Sequence, residues 1–451
     1  MTRKSRASRS PRTALLTDGS VDQWSPVLRG WVLGVENPLE PLEIAIMIDG
    51  IEACRTRCDL PRPDVANAGH GTGNCGFAVS LRELVSDDLP HALEVVDVGT
   101  GETIFRSEAL VVVHSTWPNN GSQQMLPGTV RSESGSWESF ERRVASGRRV
   151  AIVATHRTEG ASELGVRRLV EALSSADNAV LVVDTSPAAS SDALGADFLM
   201  WRENLGWDFA SWATGLERLG DLAAECDHLL LVNDSCVGPF GDLGPLIARG
   251  QSLGVDVWSL TDSWESGHHL QSYFLGFTRS ALGQGVLSDF FDQYPFPKYK
   301  EGVIEHGEVG LTAFLDERGI TTAAVFEYFE LVASFEKSLD PRLTRFADST
   351  TAALMRKHDP DYQTVGYRSL VATVEDLEMR VPLNPTHHFW RELLDQGFPF
   401  IKRELLVADP AGRFFASDFA DVVRPLLDEG DLELFRSEFA RRPTARIVDA
   451  R

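Results

Sequence analysis

The chain has too few cysteines to be held together by disulfides. Five occur in 451 residues, at 54, 58, 75, 226 and 236, and so few thiols at such uneven spacing do not make a disulfide framework. Nor does any window reach the roughly 20 consecutive apolar residues that a membrane-spanning helix needs. Basic charge is short as well: 43 Lys and Arg face 66 Asp and Glu, a formal net charge of -23. That balance argues against nucleic acid or an anionic lipid surface as a partner of the whole molecule, since both require positive potential. Two phosphate-binding signatures are also missing. No Gly-x-Gly-x-x-Gly follows the first strand of the strand–helix segment, and no Gly-Lys-Ser/Thr occurs anywhere, which disfavours a dinucleotide fold and a P-loop enzyme. No secretory signal is visible, so the cytoplasm is the expected compartment.

What is present reads as more than one domain, as the length requires. Residues 1–19 form a Ser-rich basic tail expected to be disordered. Over 20–115, short apolar alternations (Gly30–Leu33, Leu42–Ile48, Cys75–Val79, His91–Val96, Ala109–Val113) are punctuated by Asp49-Gly50 and Gly99-Thr100-Gly101, hairpin signals that predict a β-sandwich module. Cys54, Cys58, His70 and Cys75 invite a zinc site. In an extended chain, however, residues four apart lie about 13 Å from each other, and Arg55 and Arg57 repel a cation, so buried or idle thiols are expected. Residues 116–147 read as a linker closed by a short helix from Trp137.

From 148 to about 330 the period changes. Apolar strands at Val150–Ala154, Ala179–Val183, Leu229–Val232 and Val255–Leu260 alternate with helices near Glu163–Ser174, Asp208–Leu219 and Leu243–Leu253. This predicts an α/β core with a mostly parallel sheet. Helices continue over 331–425, and 426–451 is a charged tail. Asn233-Asp234-Ser235 closes the most apolar strand, at the edge where α/β sheets usually meet their ligands. Further polar clusters fall at other strand ends and loops: His156, Asp184, the stretch Arg202–Asp208 with Asn204 and Gly206, and Asp262–Gln271. Any one of these is ordinary turn or cap chemistry. Together in one sheet they suit a nucleotide-type ligand.

Several stretches resemble the rhamnan synthesis F family of bacterial glycosyltransferases. They are Asn204–Trp212, Leu229–Pro239, His269–Phe274, Glu308–Thr312, and Asn384-Pro385-Thr386 through Gly397–Leu406, in the family's order over roughly residues 148–410. The amino-terminal β module is more loosely similar to accessory modules of other bacterial transferases. The resemblance implies a GT-A-like nucleotide-sugar domain. It would move a deoxysugar, typically L-rhamnose from dTDP-rhamnose, onto a growing glycan or lipid-linked glycan. The expected products are cell-wall or lipopolysaccharide chains, made on the cytoplasmic side, with room for peripheral membrane contact or for other polysaccharide-assembly proteins.

On that reading His156, Asp184, Asn204, Gly206, Asp208, Asn233, Asp234 and Ser235 bind the donor. Lys402 and Arg403 neutralise the diphosphate, and His269 and Gln271 bind sugar or acceptor hydroxyls. Glu308 competes with Asp262 as the base and is favoured. Trp207 and Trp212 are candidates for stacking. Asn233-Asp234-Ser235 offers one carboxylate where many such enzymes carry Asp-x-Asp, so Mg2+ or Mn2+ on Asp234 and a metal-free site stand equal. The rival expectation is a non-catalytic glycan-binding or assembly protein that retains the fold.

Overall fold

The computed structural model describes residues 17–110, 130–347, 373–407 and 422–439, apart from short breaks at 25–26, 35–36, 38–39, 63–64, 66–73, 82–83, 86–90, 158–162, 188–191, 298–299, 375 and 379. The expected basic tail up to residue 16, residues 116–129 of the 116–147 linker segment and the end of the charged tail lie outside the described residues, as does His70 of the thiol set. The chain divides into two compact units, Met1–Thr116 and Trp117–Arg451.

Among the described residues the first unit holds eight strands: β1 (Thr17–Trp24), β2 (Val27–Gly34), β3 (Glu43–Ile48), β4 (Ile51–Arg57), β5 (Leu60–Pro61), β6 (Asn74–Ser80), β7 (His91–Asp97) and β8 (Thr103–Leu110). They form two antiparallel sheets, ordered β1-β2-β6-β5 and β4-β3-β7-β8. Asp49 and Gly50, both at positive φ, make the tight turn between β3 and β4, as two-residue hairpins demand. Ile44 and Ile46, Leu93 and Val95, Leu28 and Val32, and Phe77 pack into one core drawn from both sheets. Cys58 and Cys75 are buried, and burial pushes the Cys58 thiol up to about 12.

The second unit is built on β9 (Val130–Gly135), β10 (Arg149–Thr155), β11 (Ala179–Asp184), β12 (Phe198–Arg202), β13 (His228–Asn233), β14 (Cys236–Val237), β15 (Val257–Ser263), β16 (His269–Leu270), β17 (Phe274–Thr278), β18 (Thr322–Phe326) and β19 (Ile401–Lys402). The main sheet runs β16-β15-β17-β13-β10-β11-β12-β9, with β18 beside β15. It is a mixed sheet, which corrects the mostly parallel one expected from the sequence. The pairs β13–β10, β10–β11, β11–β12 and β15–β18 are parallel. β17 lies antiparallel between β13 and β15, because the connection from β15 carries only the short β16 and no crossover helix. Residues 130–135, read as linker, are an antiparallel edge strand on β12. Their polar sequence suits an edge.

Strands β11 and β13 are buried at every position and β10 at all but its first, so alternate residues face two cores. Ile152, Leu181 and Leu231 meet Phe209 and Trp212 of helix α1 (Trp207–Leu219), Phe290, and Phe314 of α2 (Gly310–Glu317). Val153, Val182 and Val232 meet Leu169, Ile247 and Phe335. Past α3 (Tyr328–Ala347) come the short helices α4 (Pro385–His388), α5 (Trp390–Asp395) and α6 (Arg403–Val407). β19 then pairs antiparallel with β14, placing Lys402 opposite Cys236. Val237, Trp390, Ile401, Leu405 and Phe435 bury this junction. No described helix is long and apolar enough to cross a membrane.

Candidate functional site

The carboxyl ends of β10 and β13 lie side by side, and their polar residues lock together. Asn233 Nδ2 donates to Asp208 Oδ2 at 2.7 Å, and its Oδ1 accepts from the Ser235 amide at 3.0 Å. The side chain therefore fixes the turn that follows its own strand. Thr155 Oγ1, at the end of β10, donates to Asp234 Oδ2 at 2.8 Å. The β14–β19 ladder then brings in two cations. Lys402 Nζ donates to Ser235 Oγ at 3.0 Å and stands 5.3 Å from the Tyr273 ring centroid. The Arg403 amide donates to the Ser235 carbonyl at 3.0 Å, and its Nη2 to the Asp234 carbonyl at 2.9 Å.

Asp208 enters from the first turn of α1, where a carboxylate complements the helix dipole. Gly206 caps that helix with φ +72, and a Cβ there would lie 2.7 Å from that of Ala210. Arg202, buried, holds the preceding loop. Its Nη1 donates to the carbonyls of Glu203 and Leu205, both at 2.9 Å, and its Nη2 to the Trp207 carbonyl at 3.1 Å and Ser211 Oγ at 3.0 Å. Desolvation pulls this guanidinium down to about 10, opposed by the charge of Asp208. The half-buried Asp208 carboxyl is pushed up to about 7. Desolvation is the main cause and the Asp234 charge the next; the Asn233 bond and Lys402 pull the other way, and Glu308 adds repulsion.

Glu308 lies in a π-helical turn, Val303–Val309, that runs into α2. Gly307 lets this wide turn close on α1, since a Cβ would meet the Phe209 ring at 2.6 Å. Such turns recur at functional sites. Glu308 Oε1 accepts from both the amide and the hydroxyl of Ser272, at 2.9 and 2.8 Å. Its Oε2 has no hydrogen-bond donor among the described residues. Glu265, on the exposed loop after β15, is held by Asn384 Nδ2 at 2.9 Å. Desolvation and the Glu308 charge raise its carboxyl, while Asn384 and His269 oppose the rise.

The structure thus brings Asp208, Asn233, Asp234, Ser235, Lys402, Arg403 and Glu308 together. The other expected residues are placed differently. Asp184 is fully buried, with Oδ2 on Arg157 Nη2 at 2.8 Å and Oδ1 accepting from Ser186. It scaffolds the strand end. His156 is exposed, its Nδ1 2.9 Å from the Thr185 carbonyl, and Asn204 is exposed on its loop. Asp262 has both oxygens engaged, one by the Tyr328 amide at 2.7 Å and the other by His268 Nε2 at 3.2 Å. His269 is buried with Nδ1 2.9 Å from the Gly267 carbonyl, and Gln271 Oε1 accepts from Thr261 Oγ1 at 2.8 Å. Trp212 is core, whereas Trp207 is exposed.

No group of three or more His, Cys, Asp or Glu among the described residues could hold a metal ion. One oxygen of Asp234 already accepts from Thr155. The donors present do not fit a resident Mg2+ or Mn2+ cage, which needs several oxygen ligands around one point.

Sequence reading gave no role to Thr155, Arg202, Glu265 or Ser272. Arg202 and Glu265 fell within the polar clusters Arg202–Asp208 and Asp262–Gln271 and Ser272 within the resemblance stretch His269–Phe274, whereas Thr155 carried no signal.

A family model, rhamnan synthesis protein F, matches residues 185–353, inside the stretch for which the resemblance was noted. The chain is 30% identical over 222 residues to virulence protein VirA of Vibrio anguillarum, covering 48% of this chain and 64% of the relative. It is 24% identical over 148 residues to an uncharacterized protein, y4gN, of Sinorhizobium fredii, covering 32% and 38%. The chain therefore spans less than two thirds of the length of either relative.

Proposed function

We propose, from the match of residues 185–353 to rhamnan synthesis protein F, that the Trp117–Arg451 unit is a glycosyltransferase of rhamnan-type polysaccharide synthesis. The donor is a nucleoside diphosphate sugar, dTDP-L-rhamnose by family analogy, and the acceptor a growing or lipid-linked glycan. One observation carries this reading. Lys402 and Arg403 are delivered by strand pairing to the Asn233–Ser235 turn, beside Asp208, on which the charges of Asp234 and Glu308 both act. Four parallel strands followed by an antiparallel one are compatible with a GT-A-like sheet whose ligand sits at the carboxyl ends.

In this reading Lys402 and Arg403 offset the negative charge that builds on the departing diphosphate. Asp234 and Asp208, organised by Thr155 and Asn233, orient the donor. Glu308, anchored through one oxygen by Ser272, takes the acceptor hydroxyl proton on the other. The donor set makes no metal cage, so no step is assigned to a metal.

The test is release of dTDP when the purified chain is given dTDP-rhamnose and a rhamnan-type acceptor. Release that depends on the acceptor supports the enzyme. Glycan binding without release makes the unit a non-catalytic binding protein.

A further inference from the structure

Helix α4 carries a histidine for which the reading above has no use. Asn384 caps the helix, its Oδ1 accepting from the Thr386 amide at 3.1 Å and hydroxyl at 2.8 Å, while its Nδ2 reaches Glu265. His388 Nδ1 lies 3.0 Å from the Asn384 carbonyl. The turn is held from several sides, and it sets His387 against the segment that carries Lys402. The His387 side chain retains 12% of its exposure, and its Nε2 is buried with no hydrogen-bond partner. Glu404 Oε2, on α6, stands 3.6 Å from that nitrogen, beyond hydrogen-bond reach. Two ammonium charges act on the ring: Lys402 on β19, and Lys300 just before the π-helical turn. Burial first, then Lys402, then Lys300, pulls the imidazole down to about 4, so it is neutral in the empty site at ordinary pH. Among the described residues the Lys402 ammonium has one hydrogen bond, to Ser235, and the exposed Lys300 forms no ion pair.

A neutral imidazole with an orphaned nitrogen, beside two ammonium groups and a carboxylate just out of reach, is an arrangement that a multiply charged anion would reverse. We propose that Lys300 and Lys402 together clamp the terminal phosphate of the nucleoside diphosphate, and that His387 behind them is a positioning residue that gains a proton as this phosphate binds and closes on Glu404. The inference rests on the diphosphate reading of Lys402. Once the phosphate offsets the two ammonium charges, the repulsion that adds to burial in keeping the ring neutral is lifted, and the anion's own charge favours the imidazolium. A proton from solvent then goes to Nε2, which donates a charge-assisted bond to Glu404. The charged groups facing the ring are Lys402, Lys300 and Glu404, on three different elements.

The test is calorimetric titration of the full chain with dTDP, near pH 5.5 and near pH 7.5, in two buffers of different ionisation enthalpy, which counts protons taken up on binding. The ligand's own phosphate titrates identically with every variant and cancels in the comparison. Wild type is expected to take up more protons than H387Q near pH 5.5, and its affinity to rise on acidification by about 3-fold more than that of H387Q, an imidazole effect in its ordinary range. E404Q, a change at a half-exposed side chain that does not threaten the fold, should reduce the uptake in the same way. K300Q should weaken binding by about 10-fold and flatten its salt dependence. If wild type binds dTDP but H387Q and E404Q match its proton count and K300Q matches its affinity, the inference is overturned while the nucleotide reading stands. If wild type binds no dTDP at all, the nucleotide reading fails first and the inference with it.

Discussion

Replacing Asp208 with Asn should stabilise the protein at alkaline pH and damage its function at the same time. The amide keeps the shape of the carboxyl and still offers Asn233 Nδ2 an oxygen at the 2.7 Å contact. What it removes is a charge that desolvation, Asp234 and Glu308 all oppose. The carboxyl rises from its ordinary 3.8 to about 7 in the folded state. Between those values the folded chain holds the proton more tightly than the unfolded chain, so stability is lost as pH rises through that window. The whole shift corresponds to about 4 kcal/mol. Because Asp208 is only half-buried, solvent screening reduces the expected gain for D208N to about 1–3 kcal/mol near pH 8, with little difference near pH 4. Urea unfolding followed by tryptophan fluorescence at both pH values gives the difference directly, provided the slope is unchanged. An equal effect at both pH values, or destabilisation near pH 8, would refute the electrostatic account. Stability gained together with activity lost is the mark of a residue retained for function.

The remaining expectations concern the division of labour around the turn. Glu308→Gln keeps the Ser272 contacts but cannot accept a proton, so sugar transfer should fall by about 100-fold or more with dTDP affinity unchanged; loss of binding instead would make Glu308 a donor ligand. Lys402→Ala should weaken dTDP binding by about 10-fold, read as a lost thermal shift, whereas EDTA should leave wild-type binding intact. A chelator-sensitive affinity would bring a metal back into the site. Asp184→Ala takes from Arg157 its buried carboxylate at 2.8 Å and leaves it Glu163 at 2.9 Å, so the cost falls below that of a wholly orphaned buried charge, at about 1–3 kcal/mol. Full stability in that variant would return Asp184 to the donor-binding candidates.

The central strands were legible because β10, β11 and β13 are apolar runs buried on both faces, and such runs carry their own signal. β9 was not, because Val130–Gly135 is mostly polar and pairs along one side only. β14 and β19 contribute two residues each. No periodicity exists at that length, and their pairing depends on the burial of Ile401 and Val237. The site divides along the same line. Asn233, Asp234 and Ser235 were visible as polar residues ending an apolar strand, and Asp208, Lys402, Arg403 and Glu308 through the family stretches. Asp184 looked equivalent to Asp234, since each closes or follows a core strand. Which of two such carboxylates is spoken for depends on Arg157, 27 residues from Asp184 in sequence. Asp262 was ambiguous for the same reason, since one of its two partners is a backbone amide 66 residues away.

The two-residue ladder between β14 and β19 also sets the order in which the molecule can become competent during synthesis. Ser235 leaves the ribosome long before Lys402, 167 residues later. In the interval the carboxylates at the strand ends have neither cation beside them. A nascent chain with its sheet already folded thus presents carboxylates alone at these strand ends, and only the closing strand sets Lys402 and Arg403 beside them.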